Sequence, residues 1–555
     1  MYIATVPNRN SPPAVLLRES YREGGKVRTK TLANLSHLPL ERIEALKAAF
    51  KGDFDNISKE QLNSSLEATI GQTFGTYFIL KNLCDETGIT KALGDSKLAK
   101  LVSFLAMTRV AHCGSRLSAV RFAKQHAIND ILGLEINSED ALYDALDYAS
   151  EHQEEIEQKL YKEYLKKHKQ PPALMLYDVT SSYFEGSKNE LADYGYNRDG
   201  KKGKKQIVIG LLGDRDGEPF AIRVFEGNKS DSKTVTEQIN KLKNDFGIKE
   251  VIFVGDRGMV KSKAQEELNA ENYRYITALT DAQTRKLLRE DVIQMSLFDQ
   301  KISEVEREET IKENINNEVQ ERLKKTRYIL IKNEVIREQK LDRIKQKIAK
   351  FEEMVKIRNE KVAVSKRAKA EIGLANIVEW AKNNRLDNFI KIELKEKAIE
   401  YEIDQEKKDS ITLLYGCYSL VTDVPSDQMS KEEVRASYKA LQNIEQDFRA
   451  LKSGFLEIRP IFVRKDARTR GHVFIAMLGL KIVRLMRQKL EVTEHKVEDA
   501  LNALLRYVYL IYEINNKQVI KLPQGDQIQK EVFAAMGIKL PDKNAKTQNV
   551  GRAKK

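Results

Sequence analysis

The stretch VIFVGDRGMV, residues 251–260, places four apolar and mostly β-branched residues directly before Gly-Asp-Arg-Gly. Because such residues favour strands, we predict a buried strand whose end presents the carboxylate of Asp256. A second acid, Asp178, interrupts the apolar run LMLYDVT at 174–180, which is also typical of a buried strand. An unpaired carboxylate in a buried strand is energetically costly. Asp178 is therefore either a structural acid with satisfied hydrogen bonds or part of a functional site.

The periodicity on either side of these strands predicts an alternating α/β region. Apolar runs predict strands at 173–186, 206–217, 219–228, 250–259 and 273–280, and patterns of three and four residues predict helices at 230–248 and 261–272. The resulting order is β-β-β-α-β-α-β. In this order Asp178 lies on the first strand and Asp256 lies at the end of the fourth.

A third acid comes from the segment 430–455, SKEEVRASYKALQNIEQDFRALKSGF, which predicts a strong helix. At about 100° per residue, Tyr438, Glu445 and Lys452 are spaced so that they share one face. The neighbouring face carries an apolar stripe that must pack inward, formed by Leu441, Ile444, Phe448, Leu451 and Phe455. Glu445 thus lies at the edge of the core. The alternative is an ordinary amphipathic helix in which Glu445 pairs with Arg449 four residues later.

If they converge, Asp178, Asp256 and Glu445 make an anionic site with oxygen ligands only. Like charges at short range raise each other's pKa unless a cation joins them. Mg²⁺ prefers carboxylate oxygens and keeps waters and phosphate oxygens as further ligands. Two such ions about 4 Å apart promote phosphoryl transfer. We therefore expect Mg²⁺ as the cofactor, with Mn²⁺ able to substitute; zinc is not expected, because the sequence places no His or Cys near these acids.

This set of features resembles the DDE transposases of bacterial insertion sequences, which have a ribonuclease-H-like fold. The late helix is similar to the Tyr-Arg-Glu-Lys signature of that family, because Tyr438, Glu445 and Lys452 match its spacing. Leu441 occupies the position where the signature has arginine. Arg449, on the same face one turn past Glu445, is our candidate to replace that arginine at a DNA phosphate.

The resemblance covers residues 14–540 and implies a transposase that binds the ends of its element, cleaves DNA with divalent metal and transfers the strand to target DNA. It implies that Asp178, Asp256 and Glu445 are the catalytic and metal-binding residues, and that a homodimer acts on paired ends. It also implies DNA contacts, for which the candidates are Tyr438, Arg449, Lys452, Arg257 and the loop lysines Lys201, Lys202, Lys204 and Lys205.

Each of these DNA contacts has an ordinary structural alternative. Tyr438 would pack beside the apolar stripe, and Lys452 would be a solvated lysine. Arg257 would pair with a core acid, and the glycine- and lysine-rich loop at 198–205 would be a solvated turn.

The predicted fold class is α/β, with a ribonuclease-H-like mixed-sheet core that an α+β insertion interrupts and a mainly helical region precedes. The predicted regions are 1–65 (hairpin and helix), 66–170 (helical, expected to bind DNA ends), 171–285 (first part of the core), 286–424 (insertion, helical and then β), 425–500 (second part of the core) and 501–555 (helix, hairpin and basic tail). Lys, Glu and Arg are dense from about 286 to 375, where we expect a solvated helical surface. The tail from 542 is expected to be disordered.

Composition is consistent with this interpretation. The net charge of +13 favours a polyanionic partner such as nucleic acid, although the excess is modest for 555 residues. The three cysteines form no CxxC pair, so a reduced, intracellular protein is expected. The N-terminus lacks the layout of a signal peptide and no apolar run is long enough to span a membrane. We therefore expect a cytoplasmic, nucleoid-associated bacterial protein.

Three other functions fit parts of the pattern. A stand-alone metal nuclease on the same fold would cut without strand transfer. A catalytically inactive DNA-binding descendant would have lost a catalytic acid, whereas all three candidate acids are present. A helical scaffold with accidental acids would bind no metal.

Overall fold

The computed structural model of the chain describes residues 1–8, 12–51, 68–186, 188–315, 318–365, 370–452, 454, 456–514, 517–541 and 546–549. The chain divides into two compact units, one made of Met1–Thr76, Gln125–Ala127 and Glu498–Lys555, and the other made of Tyr77–Lys124 and Ile128–Val497. The six regions predicted from the sequence stay a prediction.

The first unit begins with an antiparallel sheet of β1 (Tyr2–Val6), β2 (Ala14–Glu23) and β3 (Lys26–Asn34), followed by α1 (Leu40–Lys51) and β4 (Ala68–Thr73). The predicted hairpin of β2 and β3 is confirmed. Gly24 and Gly25 have φ of +57° and +81°, and positive φ at both central residues is what a tight hairpin turn of matching twist requires.

The region predicted to be helical, 66–170, is mainly helical. It also contains the strand β4, which was not predicted. Its helices are α2 (Gly75–Glu86), α3 (Ile89–Leu93), α4 (Lys97–Ala111), α5 (Arg116–Lys124), α6 (Ile128–Leu132), α7 (Asp140–Glu151) and α8 (Gln153–His168). In the described part of the chain, no helix combines the length and the apolar character needed to cross a bilayer.

The α/β region has the predicted order. Its elements are β5 (Leu174–Tyr183), β6 (Gln206–Asp214), β7 (Pro219–Phe225), α9 (Asp231–Asn244), β8 (Ile252–Gly255), α10 (Ser262–Ala270) and β9 (Arg274–Ala278). The strands lie in the spatial order β7-β6-β5-β8-β9, in which β6 and β7 are antiparallel to their neighbours and β5, β8 and β9 are mutually parallel. This is the ribonuclease-H-like arrangement, and the predicted fold class is confirmed.

The insertion extends this sheet. It contains α11 (Asp281–Arg289), a 3₁₀ turn (Met295–Asp299), β10 (Ile302–Ile315), β11 (Glu318–Lys332), α12 (Glu334–Val364), α13 (Ala370–Asn383), β12 (Ile390–Lys395), β13 (Ala398–Ile403), α14 (Gln405–Thr412) and β14 (Cys417–Thr422). β14 pairs antiparallel with β9, and β11 and β10 follow, so that the large sheet has eight strands among the described residues.

The expectation of helix from about 286 to 375 is wrong over Ile302–Ile315 and Glu318–Lys332, which pair as the antiparallel strands β10 and β11. Opposite charges meet across the two strands: Lys325 pairs with Glu308, directly opposite, at 2.6 Å, and Arg327 pairs with Glu304, two residues from its register partner. Such cross-strand pairs stabilise a hairpin. A charge-rich segment is therefore compatible with a strand when its charges meet in register, and this register is not visible in the linear sequence.

After the insertion come α15 (Lys431–Lys439), α16 (Leu441–Lys452) and α17 (Asp466–Leu490). Ser430 and Glu433 form a capping box at the start of α15. The single helix predicted over 430–455 is interrupted by a turn at Ala440. α16 packs against β5, and α17 packs against α4, α7 and β7, so the segment after the insertion covers one face of the core sheet.

The chain ends with α18 (Val497–Leu505), β15 (Val508–Ile514), β16 (Lys517–Lys521), α19 (Gln527–Ala535) and β17 (Lys546–Asn549). The predicted helix, hairpin and short helix are confirmed. β15 also pairs with β4, and β17 pairs with β16 in the same antiparallel sheet of the first unit. The predicted disorder of the tail is wrong for Lys546–Asn549, and the rest of that prediction lies outside the described residues.

Candidate active site

The pairing of β5 with β8 brings the two predicted aspartates together. The strands are parallel, and Tyr177 is in register with Gly255. Asp178 and Asp256 are the residues that follow these two, so they are adjacent at the point where β8 ends and the longer strand β5 continues. Asp178 is partly buried between buried neighbours, whereas Asp256, just beyond the end of β8, is exposed.

Glu445 reaches the same place from α16. Ile444, Phe448 and Leu451 are buried, so the apolar stripe of this helix packs inward as predicted and leaves Glu445 exposed at its edge. Asp178, Asp256 and Glu445 line one cavity of about 470 Å³. The cavity is also lined by Arg449 and Lys452 of the same helix and by charged residues from three other segments: Arg198 and Asp199, Asp231, and Arg459.

The electrostatics of the cavity identify Asp178 as its most perturbed acid. The pKa of Asp178 is raised to about 7, mainly by burial and to a smaller degree by the charges of Asp256 and Glu445, while the Val179 backbone amide and Arg198 act to lower it. Its Oδ1 accepts a hydrogen bond from the Val179 amide at 2.7 Å. Carboxylates that repel each other at short range form a suitable donor set for a hard cation. In the described residues, however, no group of three or more His, Cys, Asp or Glu side chains is close enough to form a ready metal site.

Tyr438 lies beside Asp256 and not only beside the apolar stripe. Its hydroxyl donates a hydrogen bond to Oδ1 of Asp256 at 3.0 Å. Burial raises the pKa of the Tyr438 hydroxyl, and the Asp256 carboxylate raises it further, so the phenol remains a donor over the physiological pH range. Arg257, the residue after Asp256, is exposed.

Lys452 is held by an acid that sequence reasoning did not single out. Its Nζ lies 2.8 Å from Oδ1 of Asp199, and Nη1 of Arg459 lies 2.7 Å from the same oxygen. The Asp199 side chain is 1% exposed, and its Oδ2 accepts a hydrogen bond from the Tyr183 amide at 3.2 Å. This arrangement ties the end of α16 to the loop between β5 and β6, and it neutralises part of the positive charge that the sequence assigned to a DNA phosphate.

Arg198 and Asp231 form a second ion pair in the cavity. Nη2 of Arg198 lies 2.8 and 2.7 Å from the two carboxylate oxygens of Asp231. Asp231 is the first residue of α9, where a negative charge is favourable. Asp199, Asp231 and Arg459 were missed because their partners are distant in the sequence, and nothing in the local pattern marks them.

The remaining predicted DNA contacts occupy different environments. Leu441, at the position where the signature has arginine, is buried, so this position contributes to packing and not to the cavity. Arg449 lines the cavity and is exposed. In the 198–205 loop, Lys201 and Lys202 are exposed, Lys204 pairs with Glu185 at 2.8 Å, and Lys205 lies near the Tyr194 ring.

Two family models match the chain. Residues 169–483, more than half of the chain, match the family model described as "Transposase DDE domain". Residues 3–64 match the model described as "IS1634 family transposase, N-terminal domain". No curated protein matches the chain.

Similar solved structures are also transposases. One is the piggyBac transposase synaptic complex with hairpin DNA, with a TM-score of 0.31, 8% identity and coverage of 78% of this chain and 75% of the other. Another is the Mos1 transposase paired-end complex with left transposon end, with a TM-score of 0.14, 14% identity and coverage of 43% and 68%. These TM-scores are low, and the family match does not depend on them.

Proposed function

Because the chain belongs to the DDE transposase family, we propose that it binds the ends of its own insertion element and cleaves and joins DNA at the cavity lined by Asp178, Asp256 and Glu445. One observation carries the proposal. In the β5–β8 register Asp178, within β5, lies beside Asp256, just past the end of β8, and α16 brings Glu445 to the same cavity.

Asp178, Asp256 and Glu445 are the residues that would hold divalent metal. Their oxygens are the hard ligands that Mg²⁺ prefers. Burial is the main cause of the raised pKa of Asp178, and the charges of Asp256 and Glu445 add to it; a bound cation would favour the charged form of all three acids. When bound, such ions activate the attacking oxygen and stabilise the leaving oxygen. We propose Mg²⁺ as the physiological ion, with Mn²⁺ as a substitute.

The protein itself orients the DNA. In the first step a water oxygen attacks the phosphorus at the element end, the bond from phosphorus to the 3′ oxygen breaks, and a 3′ hydroxyl and a 5′ phosphate remain. In the second step that 3′ hydroxyl attacks a target phosphodiester and displaces a 3′ oxygen of the target strand. Arg449, Arg257 and the exposed loop lysines would hold the phosphates in line, because positioning and charge neutralisation dominate this chemistry.

The proposed partners are the two terminal repeats and the target DNA. Paired ends call for two active sites, and we propose that a homodimer supplies them. The second candidate function is a metal nuclease on the same fold, which the same cavity would support without the second step.

The test is cleavage of a labelled duplex that carries the inverted repeat flanking the gene. Reactions contain Mg²⁺ or EDTA, and the variants are Asp178→Asn, Asp256→Asn and Glu445→Gln. The matched control is Asp387→Asn, an exposed acid of the insertion. We expect metal-dependent nicking at the repeat boundary, at least a thousandfold loss in each site variant and unchanged activity in the control.

Binding without cleavage in Mg²⁺ or Mn²⁺ would favour the inactive descendant instead. Cleavage without joining to a supplied target duplex would favour the nuclease.

A further inference from the structure

Two tyrosines expose most of their surface on the loop that also carries Arg198 and Asp199 of the acidic cavity. Tyr194 is 61% exposed and Tyr196 is 81% exposed, and both lie in the loop between β5 and β6. An isolated exposed aromatic residue needs no explanation. Here two exposed aromatic rings lie on either side of one glycine, in a loop of the proposed DNA-cleaving site. Together they form an aromatic surface suited to stacking with a planar ligand such as a base.

The backbone that carries these rings is firmly held. Asp193 and Gln206 exchange two backbone hydrogen bonds at 3.0 and 2.9 Å. The side-chain Nε2 of Gln206 also donates hydrogen bonds to the carbonyl oxygens of Tyr196, at 3.1 Å, and Gly227, at 2.9 Å. Gly195 lies so close to Gly227 that an added Cβ would come within 2.1 Å of its carbonyl oxygen. The rings are therefore presented on a fixed support, which lowers the entropic cost of binding.

Cations accompany both rings. The Arg198 guanidinium lies 5.6 Å from the centroid of the Tyr196 ring, and Nζ of Lys205 lies 5.8 Å from that of Tyr194. Cations at this range are attracted to the ring face, and they are also suited to a neighbouring phosphate. The pairing of aromatic rings with basic groups is the chemistry of single-stranded nucleic acid binding.

Tyr196 lines a second cavity that shares two lining residues with the acidic cavity. Tyr196 lines a cavity of about 420 Å³ together with Arg198, Asp231, Lys229 and Lys261. Arg198 and Asp231 also line the cavity that contains Asp178, Asp256 and Glu445. A strand whose phosphate lay at the acids could thus place neighbouring nucleotides beside Tyr196, with Tyr194 two residues away on the same loop.

We propose that Tyr194 and Tyr196 form a stacking surface for bases that leave the duplex beside the scissile phosphate. The proposal rests on the proposed function, because it requires DNA in the acidic cavity. Bases that leave the stack are commonly held against aromatic side chains, and extraction is easiest where pairing is already lost. The two rings would offset the cost of opening the DNA end and so position the strand for attack.

The test compares Tyr194→Ala/Tyr196→Ala with Tyr194→Phe/Tyr196→Phe, the matched control that keeps both rings. Each protein is assayed on the fully paired terminal-repeat duplex and on the same duplex with two unpaired nucleotides next to the cleavage position. Cleavage rates and equilibrium binding are both measured, the latter in an Asp256→Asn background that keeps the DNA intact.

On the paired duplex we expect the Ala variant to cleave about tenfold to a hundredfold more slowly than wild type, in line with the usual strength of base–aromatic stacking. Unpairing should restore much of its rate, because the opening cost is removed. The Phe variant should stay within about twofold of wild type. In binding, the Ala variant should lose at least about fivefold affinity for the unpaired substrate and little for the paired one.

Wild-type rates and affinities in the Ala variant would overturn the stacking proposal and leave the proposed function intact. An equal loss in the Ala and Phe variants, or an equal loss on both substrates, would overturn it as well, because it would indicate a role for the hydroxyls or for the loop structure. If wild type binds but does not cleave, the proposed catalysis fails and the binding comparison still decides the stacking surface. If wild type binds neither DNA, both proposals fail.

Discussion

The Tyr438 hydroxyl donates a hydrogen bond to Oδ1 of Asp256 at 3.0 Å, across 182 residues of sequence. The bond fixes the orientation of a carboxylate that lies just past the end of β8 and is exposed. A hydrogen bond to a charged group contributes about 1.5–3 kcal/mol, and each 1.4 kcal/mol corresponds to about tenfold in rate.

We expect Tyr438→Phe to lower the cleavage rate by about tenfold to a hundredfold while DNA affinity stays close to that of wild type. Single-turnover cleavage with saturating enzyme measures the rate. Raising the Mg²⁺ concentration should recover part of the loss, because a less ordered Asp256 binds metal more weakly. If Phe retains full activity and only Ala loses it, the ring of Tyr438 acts by packing or stacking, and orientation of Asp256 is not its role.

Arg449→Ala tests whether Arg449 makes the phosphate contact of the signature arginine, whose position in this chain is occupied by Leu441. Arg449 lines the cavity, and loss of one phosphate contact should weaken binding on all DNA sequences and reduce the slope of log affinity against log salt by about 1. Binding measured over a range of salt concentrations checks this. Arg343→Ala, an exposed arginine of α12, removes the same charge and should leave the slope unchanged. Wild-type activity and slope in Arg449→Ala would rule the hypothesis out.

Asp199→Asn should destabilise the second unit. Asp199 Oδ1 is shared by Lys452 and Arg459 at 2.8 and 2.7 Å, and loss of its charge leaves the Lys452 ammonium, 12% exposed, without its anion. Removal of one partner of a buried pair costs about 3 kcal/mol or more. Urea unfolding measures this change in the free energy of unfolding.

The control for Asp199 is the double variant Asp199→Asn/Lys452→Met. Because the cost comes from the stranded ammonium, the double variant should be more stable than Asp199→Asn alone. A purely additive second loss would contradict this explanation and would indicate that Asp199 acts mainly through its bond to the Tyr183 amide.

Asp447 on α16 should make stability depend on pH. Burial raises its pKa more than Arg484, whose Nη1 lies 2.7 Å from Oδ1, lowers it, and the result is a pKa of about 6. The unfolded value is about 3.9. The folded pKa is the higher one, so the stability that protonation provides is fully present below about pH 4 and is lost as pH rises through about 6.

In the Asp447→Asn variant the side chain cannot ionise, so the variant does not lose stability as the pH rises through about 6. The difference in the thermal unfolding midpoint, variant minus wild type, should therefore rise between about pH 4 and pH 7. Thermal melts of the two proteins in parallel buffers measure it. A difference that does not change with pH would show that Asp447 is not the group that titrates.

Much of the core follows from the sequence because its signals are local. The apolar runs around Asp178 and Asp256 predict strands without reference to any other residue, and their order limits the sheet to few topologies. The structure places these aspartates and Glu445 around one cavity, while their roles in metal binding and catalysis stay predictions.

The features that sequence reasoning missed depend on distant partners. Asp199 looks like an ordinary loop acid until Lys452 and Arg459 are placed beside it. The β10–β11 hairpin looks like a solvated helix until Glu308 is placed opposite Lys325. In each case the missed feature depends on an ion pair between residues that are far apart in the sequence, and nothing in the local sequence around either residue indicates its partner.

Within the insertion, the segment from α12 to α14 leaves the sheet at the end of β11 and returns to it at the start of β14, and these two points are neighbours. Lys332, the last residue of β11, is in register with Cys417, the first residue of β14, and the Asn333 amide donates to the Gly416 carbonyl at 2.8 Å. Topologically, everything from α12 to α14 is the loop of a β-hairpin, and it has its own apolar cluster around Ile344, Phe351, Val355 and Ile377. A short turn in its place would keep β11 and β14 paired. This part of the chain is thus an exchangeable module, free to shrink, grow or acquire new contacts in evolution while the strands that carry the acidic cavity keep their order.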